Sequence, residues 1–385
     1  MSTMTLWTLP TNPPTPPENP LLDLTPELNG RLYYTKTIVD IVGELTVTRS
    51  RKNVREWTIP PALIGPWPGS YFIGRLTFGP GGLPWFSLPT PERLVEFNPN
   101  RGGFTAYEGK TGKLQHPRNL MFDQRGNLLF TGWYIQQPGQ PGHDYYLIGR
   151  LDRSRERVDL WPLPLDIEPN DIWVDADGAV VWIAFARHVL KPGPFLGALV
   201  SSTSRLVYWW SPPGTRPVGL GIAGDRPKNP ENIWITYDPG IQGKAAAFRF
   251  HVKSDTVYVY SMTANDRPSG IATDVRGNAW IGHQSQRVSS IERSADCGWI
   301  AREKKTVCLR PRRVAVRVIR AGAKPRLLQA ASAEYPVTRA SRPCITDFAL
   351  PIMWSPRIQV SGGQQYKPKI YFTHNGSNRI GQLTP

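Results

Sequence analysis

Short apolar segments that end in a small or hydroxylated residue recur along the chain. Seven copies of this pattern are present, at Tyr33–Thr35, Trp85–Ser87, Leu129–Thr131, Trp182–Ala184, Trp234–Thr236, Trp280–Gly282 and Tyr371–Thr373. The first six copies start about 44 to 53 residues apart, which is the length of one four-stranded propeller blade. The last gap is roughly twice as long. The sixth repeat therefore contains either an insertion or a degenerate extra blade.

The residues around each copy alternate in polarity as the strands of a blade do. Upstream, Pro117–Asn127 and Pro268–Asn278 each read as strand, tight turn with glycine, and strand. Downstream, Ile148–Leu151 predicts a third strand, and Arg157–Pro162 predicts a fourth whose proline suits an outer edge. We therefore predict an all-β fold, a seven-bladed β-propeller of four-stranded antiparallel blades, with residues 1–385 as a single domain.

The two ends of the chain complement each other in this repeat. The last repeat stops after its third strand, near Ile380–Leu383, and Met4–Pro10 has the outer-strand pattern without a blade of its own. We predict that residues 4–10 close the ring as the outer strand of the last blade, which removes two exposed sheet edges. Residues 11–30, rich in proline, then form an extended lead into the first blade.

The composition agrees with a large propeller. Hydrophobic residues make up 40% of the chain, and 14 Trp, 14 Tyr and 13 Phe supply side chains for interfaces between packed sheets. Three cysteines are too few for a disulfide framework, although a bridge between Cys297 and Cys308 stays open. The sequence has no signal peptide and no apolar stretch long enough to span a bilayer, so we expect a cytoplasmic protein; a virion component would look the same.

The formal net charge of +16 favours anionic partners. Much of the surplus lies in residues 294–342, the insertion in the sixth repeat, where Val314, Val316 and Val318 alternate with other residues and predict a strand. Its basic residues, predicted to bind a partner, are Arg302, Lys304, Lys305, Arg310, Arg312, Arg313, Arg317, Arg320, Lys324 and Arg326. The interpretations are a solvated face, a site for an acidic protein, and a site for nucleic acid bound through its phosphates.

The repeat resembles that of the virginiamycin B lyase (streptogramin lyase) family, best in Pro268–Gly282 and Tyr371–Leu383. The resemblance implies the propeller fold. It also implies a lyase reaction in which a histidine placed as Pro-His-Gly/Ala-Ile abstracts a proton, assisted by a glutamate and a second histidine with Mg²⁺. In this chain the position of the first histidine holds Arg118, Asn170, Val218 and Ser269 in the blades that align.

The family's motif strand ends in an acidic residue, and this position also departs from the family. It holds Lys36, Leu88, Gly132, Phe185, Tyr237, His283 and His374. His283 and His374 lie in neighbouring blades, so they are catalytic candidates as acid, base or metal ligand; alternatively, each hydrogen-bonds a loop carbonyl. Neither motif supplies a carboxylate, so we predict no metal site and no cofactor.

Three acids precede turn glycines, and we predict that they bond their own turn backbone: Asp123, Asp175 and Asp274. The sequence thus favours a non-catalytic binding or assembly module, a subunit that docks on a protein or anionic partner through loops and the basic insertion. One alternative is a streptogramin-lyase-like C–O lyase or lactone hydrolase that uses His283 and His374. Another is a nucleic-acid-binding accessory protein. The loop Gln136–His143 in the third blade is a further contact candidate.

Overall fold

The alternating apolar positions of the sequence form seven antiparallel blades arranged in a ring. The protein is described as a computed structural model, which covers residues 3–9, 21–36, 40–47, 53–64, 75–109, 114, 116–134, 145–154, 156–164, 168–186, 194–210, 218–238, 246–262, 268–283, 287–293, 304–308, 312–329, 331–336, 338–342, 345–349, 358–361, 368–374 and 379–385. In these ranges the helical elements are one short helix, α1 (Pro61–Ile64), and one 3₁₀ turn (Pro80–Gly82).

The first four blades follow an N-terminal strand. In chain order the strands are β1 (Thr3–Thr8), β2 (Leu21–Leu24), β3 (Arg31–Lys36), β4 (Ile41–Thr46), β5 (Asn53–Thr58), β6 (Leu76–Phe78), β7 (Pro84–Leu88), β8 (Arg93–Asn98), β9 (Gly103–Gly109), β10 (Leu120–Phe122), β11 (Leu128–Tyr134), β12 (Tyr145–Asp152), β13 (Arg157–Pro162), β14 (Pro169–Val174), β15 (Val180–Phe185), β16 (Pro194–Val200) and β17 (Arg205–Trp210). Blades 1 to 4 are β2–β5, β6–β9, β10–β13 and β14–β17.

The remaining strands form three blades and an excursion within the sixth repeat. They are β18 (Val218–Gly224), β19 (Asn232–Asp238), β20 (Ala246–His251), β21 (Thr256–Ser261), β22 (Pro268–Thr273), β23 (Ala279–His283), β24 (Arg287–Ile291), β25 (Lys304–Cys308), β26 (Arg312–Gly322), β27 (Arg326–Gln329), β28 (Ala331–Pro336), β29 (Thr338–Arg342), β30 (Ile345–Ala349), β31 (Ile358–Ser361), β32 (Lys369–His374) and β33 (Arg379–Thr384). Blade 5 is β18–β21, blade 6 is β22–β24 with β30, and blade 7 is β31–β33 with β1.

The hydrophobic core is divided among the seven contacts between blades. From blade 1 to blade 7 the first strand of each blade contacts the first strand of the next, and at the ring closure β2 of blade 1 contacts β32 of blade 7. The first strands are therefore innermost. Each pair of adjacent blades encloses its own cluster of buried apolar side chains, including the cluster between blades 7 and 1. Consecutive motif residues enter different clusters: Phe130 packs between blades 2 and 3, and Leu129 packs between blades 3 and 4. The period of two therefore buries both faces of every blade.

The N-terminal strand closes the ring, which confirms the prediction. β1 pairs antiparallel with β33, and Met4, Leu6 and Trp7 lie opposite Leu383, Gly381 and Ile380. Met4 and Leu6 pack between blades 6 and 7, whereas Trp7 packs between blades 7 and 1. Residues 10–20 of the expected proline-rich lead lie outside the described residues, and β2 begins directly after them.

A glycine in the third strand of several blades explains the Ile-Gly-x-Leu element of the repeat. Gly149 lies opposite Phe130 of β11, and a Cβ at Gly149 would lie 2.1 Å from the ring. Gly381 and Phe372 of blade 7 form the same pair, also with a distance of 2.1 Å. The aromatic ring of the motif strand thus lies directly over the glycine, where a side chain has no room.

Strands β25 to β29, which we call the belt, run around the outside of the propeller. β25 pairs with β17 of blade 4, and β26 pairs first with β13 of blade 3 and then with β9 of blade 2. β27 pairs with β5 of blade 1, β28 with β1 of blade 7, and β29 with β30 of blade 6. The belt therefore adds a strand to the outer edge of six blades, in the reverse of their chain order. The outer strands expected to be edges are covered at these positions.

Candidate functional site

The belt distributes the basic residues of the insertion along the rim. Lys304 and Lys305 belong to the strand on blade 4, and Arg312 and Arg313 to the part of β26 on blade 3. Arg317 and Arg320 lie on blade 2, Lys324 follows β26, and Arg326 begins the strand on blade 1. The described side chains of this set, those of Arg317, Arg320, Lys324 and Arg326, are exposed. Arg302 and Arg310 lie outside the described residues.

Apolar side chains anchor the belt to blade 2. Val318 packs against the cluster between blades 2 and 3, and Ile319, Ala321 and Ala323 pack against the cluster between blades 1 and 2. At the end of this stretch, the Ala323 amide donates a hydrogen bond to the Gly102 carbonyl, with an N···O distance of 2.7 Å. Of the predicted valine alternation, Val318 is therefore one of the side chains by which β26 seals the interfaces on either side of blade 2.

An acidic residue of blade 2 meets the belt at one point. Glu108 Oε2 lies 2.8 Å from Arg317 Nη2 and 3.3 Å from Arg93 Nη2. The Arg317 side chain nevertheless keeps 63% of its surface exposed. The rim is thus partly neutralised at Glu108 and remains accessible to a partner.

The upper face of the propeller is the face on which the innermost strands begin. Loops of blades 2, 3 and 4 meet there around Trp133, near the end of β11. The Arg118 guanidinium lies 4.1 Å from the Trp133 ring centroid, and the His116 ring stacks on Trp133 at 4.9 Å. Arg118 Nη1 lies 3.4 Å from Glu168 Oε1, and His116 Nε2 lies 3.4 Å from Glu92 Oε1. We call these five residues the mouth site.

A charged cluster spans the channel beside the mouth site. The Arg75 guanidinium, from blade 2, donates to Asp171 of blade 4, and Asp171 also accepts from the Ile222 amide of blade 5 at 3.3 Å. Asp23 of blade 1 accepts from the Leu76 amide at 2.7 Å. Burial alone would lower the pKa of Arg75, but the charges of Asp171 and Asp23 outweigh it and the pKa is raised. The cluster therefore holds Arg75 charged between the inner strands.

The lower face carries the Asp-x-x-Gly turns, and the three predicted turn acids bond their own turns there. Asp123 Oδ1 accepts from the Asn127 amide at 2.8 Å, and Asp274 Oδ1 accepts from the Asn278 amide at 3.0 Å. Asp175 Oδ1 accepts from the Val180 amide at 3.2 Å. Burial raises the pKa of Asp175, and the nearby charge of Asp177 raises it further; together they outweigh the backbone hydrogen bonds from Gly178, Ala179 and Val180. A cavity of about 380 Å³ lies among the turns of blades 3 to 6.

The fourth position of the motif is structural in two blades where its side chain is described. Lys36 Nζ lies 2.7 Å from Glu56 Oε1, and both side chains are almost fully buried. The Tyr34 hydroxyl donates to the same Glu56 oxygen at 2.7 Å. His283 is fully buried, with Nε2 2.8 Å from Ser289 Oγ on the adjacent strand. The Ser289 hydroxyl is thus within hydrogen-bonding distance of Nε2.

Several of the predicted features lie outside the described residues. They are the His374 side chain, the loop Gln136–His143 and Cys297. The distance between the imidazoles of His283 and His374 is therefore not described. The pairing of Cys297 with Cys308 stays a prediction. In the described ranges, no three His, Cys, Asp or Glu side chains group in a way that could hold a metal ion. Likewise, no helix there is long and apolar enough to cross a membrane.

Apart from Arg118, the residues of the mouth site do not belong to the repeated sequence motifs. Glu92, His116 and Glu168 lie in connecting loops, and Trp133 lies two residues beyond its motif. One local signal was available in the sequence, namely His116-Pro117-Arg118, in which a histidine precedes the proline of the inner strand. The ring arrangement of blades, which brings these loops together, is what makes them a site.

No protein-family model matches the chain, and no curated protein matches it in sequence. Solved structures do match it. A streptogramin B lyase is 16% identical with a TM-score of 0.64, covering 100% of this chain and 98% of that chain. A catalytically inactive virginiamycin B lyase from Staphylococcus aureus with quinupristin is 15% identical with a TM-score of 0.62, covering 99% of both chains. The expected resemblance to this lyase family is thereby confirmed at the level of the fold.

Proposed function

We propose that the protein is a docking module that binds an anionic partner along the rim of blades 1 to 4. The observation that carries this proposal is the course of the belt, which places basic residues on four consecutive blades. Positive charge on a well-anchored strand attracts an anionic partner at little cost in chain ordering. The exposed side chains of Arg317, Arg320, Lys324 and Arg326 are the described part of this surface.

The distribution of the charge favours an extended partner over a compact one. The belt from residue 304 to residue 326 has a contour of roughly 70 Å, at about 3.3 Å per strand residue. A standard protein interface covers about 800 Å² on each partner, which is a patch on one or two blades. A chain-like polyanion can contact the whole stretch, whereas a globular acidic protein would leave much of it unused.

The curvature of the rim favours a flexible polyanion. Four of seven blades span more than half of the ring, and duplex DNA is stiff over about 150 base pairs. Single-stranded nucleic acid bends easily and carries one phosphate per nucleotide. Residues 302–326 contain no Phe, Tyr or Trp, so contacts to phosphates, without stacking on bases, are expected. We therefore expect binding without sequence preference.

The first prediction tests this surface by removing its charge. The variant carries Arg317→Gln, Arg320→Gln, Lys324→Gln and Arg326→Gln, and binding to a 30-nucleotide oligo-dT is measured by fluorescence anisotropy over a salt series. We expect at least tenfold weaker binding at low salt. The slope of log K against log salt should fall by roughly 3, since each lost contact to a single strand removes about 0.7.

The matched control removes the same charge elsewhere. It carries Arg125→Gln, Lys228→Gln, Lys253→Gln and Arg276→Gln, all exposed positions away from the belt. We expect less than a threefold loss for this control. Equal losses in the two variants would show that net charge alone drives binding, and the rim would then not be the docking surface. Stronger binding of a 30-base-pair duplex than of oligo-dT would contradict the argument from curvature.

His283 is poorly placed for the enzymatic alternative. It is fully buried against Ser289, whereas a catalytic base must reach the proton that it removes. The similarity to streptogramin lyases concerns the fold. The cytoplasmic location expected from the sequence stays a prediction.

A further inference from the structure

Two side chains of the mouth site share one aromatic ring. Trp133 contacts the Arg118 guanidinium and the His116 imidazole. A guanidinium over an indole ring is attracted by the electrons of the ring and keeps its hydrogen-bonding edge free to point outward. The site lies at the channel mouth on the upper face, far along the chain from the belt residues. It is independent of the proposed docking surface.

The backbone on both sides of the site is held in an unfavourable conformation. His116 has a φ of 46° and Glu92 a φ of 60°, which is the left-handed region that residues with a side chain seldom adopt. These two residues belong to different loops, yet their side chains face each other. Such conformations persist where surrounding structure imposes them, and they concentrate at functional sites.

Two contacts fix the ring of His116. Nδ1 lies 2.9 Å from the Pro89 carbonyl oxygen, which can only accept, so Nδ1 donates this hydrogen bond. Nε2 faces the Glu92 carboxylate at 3.4 Å. The imidazole is thus held between Pro89 and Glu92 and stacks on the Trp133 ring, against which the Arg118 guanidinium also lies.

The pair of Arg118 and Glu168 is the contact that a ligand can replace. One nitrogen of Arg118, Nη1, approaches Glu168 at 3.4 Å, and the side chains are 48% and 31% exposed. The remaining edge of a guanidinium matches a carboxylate through two parallel hydrogen bonds. Meanwhile, the main chain of Arg118 is fixed, because its amide donates to Thr131 and its carbonyl accepts from Ser87.

We propose that the mouth site binds a small organic carboxylate. The ligand displaces Glu168 and pairs with the Arg118 guanidinium. Trp133 lies against this guanidinium, and His116 stacks on Trp133 and so fixes the position of the ring. His116 is therefore a positioning residue, and the charged contact with the ligand is made by Arg118.

The test is calorimetric titration of the full chain with succinate at low salt. Arg118→Lys keeps the charge and loses the two-pronged donor, so we expect at least tenfold weaker binding. The control, Arg125→Lys, makes the same change at an exposed position on the lower face and should change affinity less than twofold. Equal affinities for these two variants would overturn the proposal, as would sulfate binding that equals succinate binding.

A second variant tests the role of His116. His116→Gln removes the ring that stacks on Trp133, so we expect weaker binding of succinate, and His116→Phe, which keeps a ring that can stack, should restore it. Unchanged affinity of His116→Gln, or no recovery in His116→Phe, would overturn the positioning role of His116. The four-residue belt variant should bind succinate normally. Its failure to bind oligo-dT is therefore distinguishable from any failure of the mouth site.

Discussion

At the scale of single residues, blade 1 shows how a departure from the repeat is compensated. Lys36 occupies a motif position that holds no lysine or arginine in any other blade, and burial of its ammonium would be costly alone. Glu56, on the outer strand of the same blade, lies 2.7 Å away and also accepts from Tyr34. The sequence alone could not reveal this pairing, because Lys36 and Glu56 are adjacent only after the blade has folded.

The second prediction therefore concerns Lys36→Met. Removing the ammonium leaves a buried carboxylate without its counter-charge, so we expect a loss of about 3–5 kcal/mol in the free energy of unfolding. Adding Glu56→Gln should recover much of this loss, since an amide keeps an acceptor for Tyr34 without a charge. Denaturation midpoints in urea measure both effects.

The control for this prediction is a pair on the surface. Lys228 lies 3.3 Å from Asp177, and the side chains are 61% and 42% exposed. Lys228→Met should cost less than about 1 kcal/mol. A similar cost for Lys36→Met would mean that solvent screens the buried pair, contrary to its geometry.

The third prediction concerns Asp175 and pH. Burial raises the pKa of this carboxyl in the folded state, so the folded protein holds the proton more tightly than the unfolded chain. The stability that the protonated group contributes is present at low pH and is lost as pH rises through the folded pKa. At neutral pH the charge is a net cost, and Asp175→Asn should stabilise the protein, with the gain disappearing in acid.

Asp274→Asn is the comparison for Asp175→Asn. Asp274 Oδ2 accepts from Trp280 Nε1 at 3.0 Å and from Asn278 Nδ2 at 3.1 Å. An amide nitrogen in this place would face two donors, so Asp274→Asn should destabilise the protein at neutral pH. Thermal midpoints between pH 4 and pH 8 separate the two outcomes. A gain for Asp175→Asn that is independent of pH would show that charge is not its origin.

At the scale of elements, the blades could be predicted and the partners of the belt could not. In blades 1 to 5 each strand pairs with its neighbour in sequence, and its apolar alternation is sufficient to place it. β26 pairs with β9, about 200 residues upstream, through backbone hydrogen bonds at an open edge. Backbone hydrogen bonds do not depend on the identity of the side chains. The valine alternation of the insertion therefore predicted a strand but not the blades with which that strand pairs.

The fourth prediction tests how the belt docks on blade 2. Gly102 has a φ of +60°, and a Cβ there would lie 2.0 Å from the Ala323 carbonyl oxygen. Gly102→Ala combines an unfavourable conformation with a clash, so we expect a loss of about 2–4 kcal/mol. Hydrogen exchange should accelerate in β26 and β27 more than in the inner strands.

The neighbouring glycine is a close control. A Cβ at Gly103 would meet no atom within 4 Å, so Gly103→Ala should cost less than about 1 kcal/mol and leave belt exchange unchanged. Equal effects of the two substitutions would show that the contact between Gly102 and Ala323 does not hold the belt.

At the scale of the whole molecule, the repeat predicted the architecture because a ring needs only local rules applied seven times. Ring closure followed from the same rules, since Met4–Pro10 had the pattern of the strand that blade 7 lacked. The mouth site did not follow from them. Its residues come from loops of three blades, and loops are not constrained by the repeat. Sequence patterns are thus least informative about the features that this chain adds to the common propeller fold.

The course of the belt also has a consequence for how the protein is made. Residues 304–342 leave the ribosome before β30 and β33, yet β29 must pair with β30, and β28 pairs with β1, whose other neighbour is β33. The outer strands of blades 1 to 4 stay uncovered for longer, because β5 ends at Thr58 and its belt partner β27 begins only at Arg326. At about 5–20 residues per second, synthesis of the chain between them takes on the order of tens of seconds. During this interval the outer edge of blade 1 is open to other nascent chains on the same messenger, so the late position of the belt in the chain makes co-translational aggregation a hazard of this design.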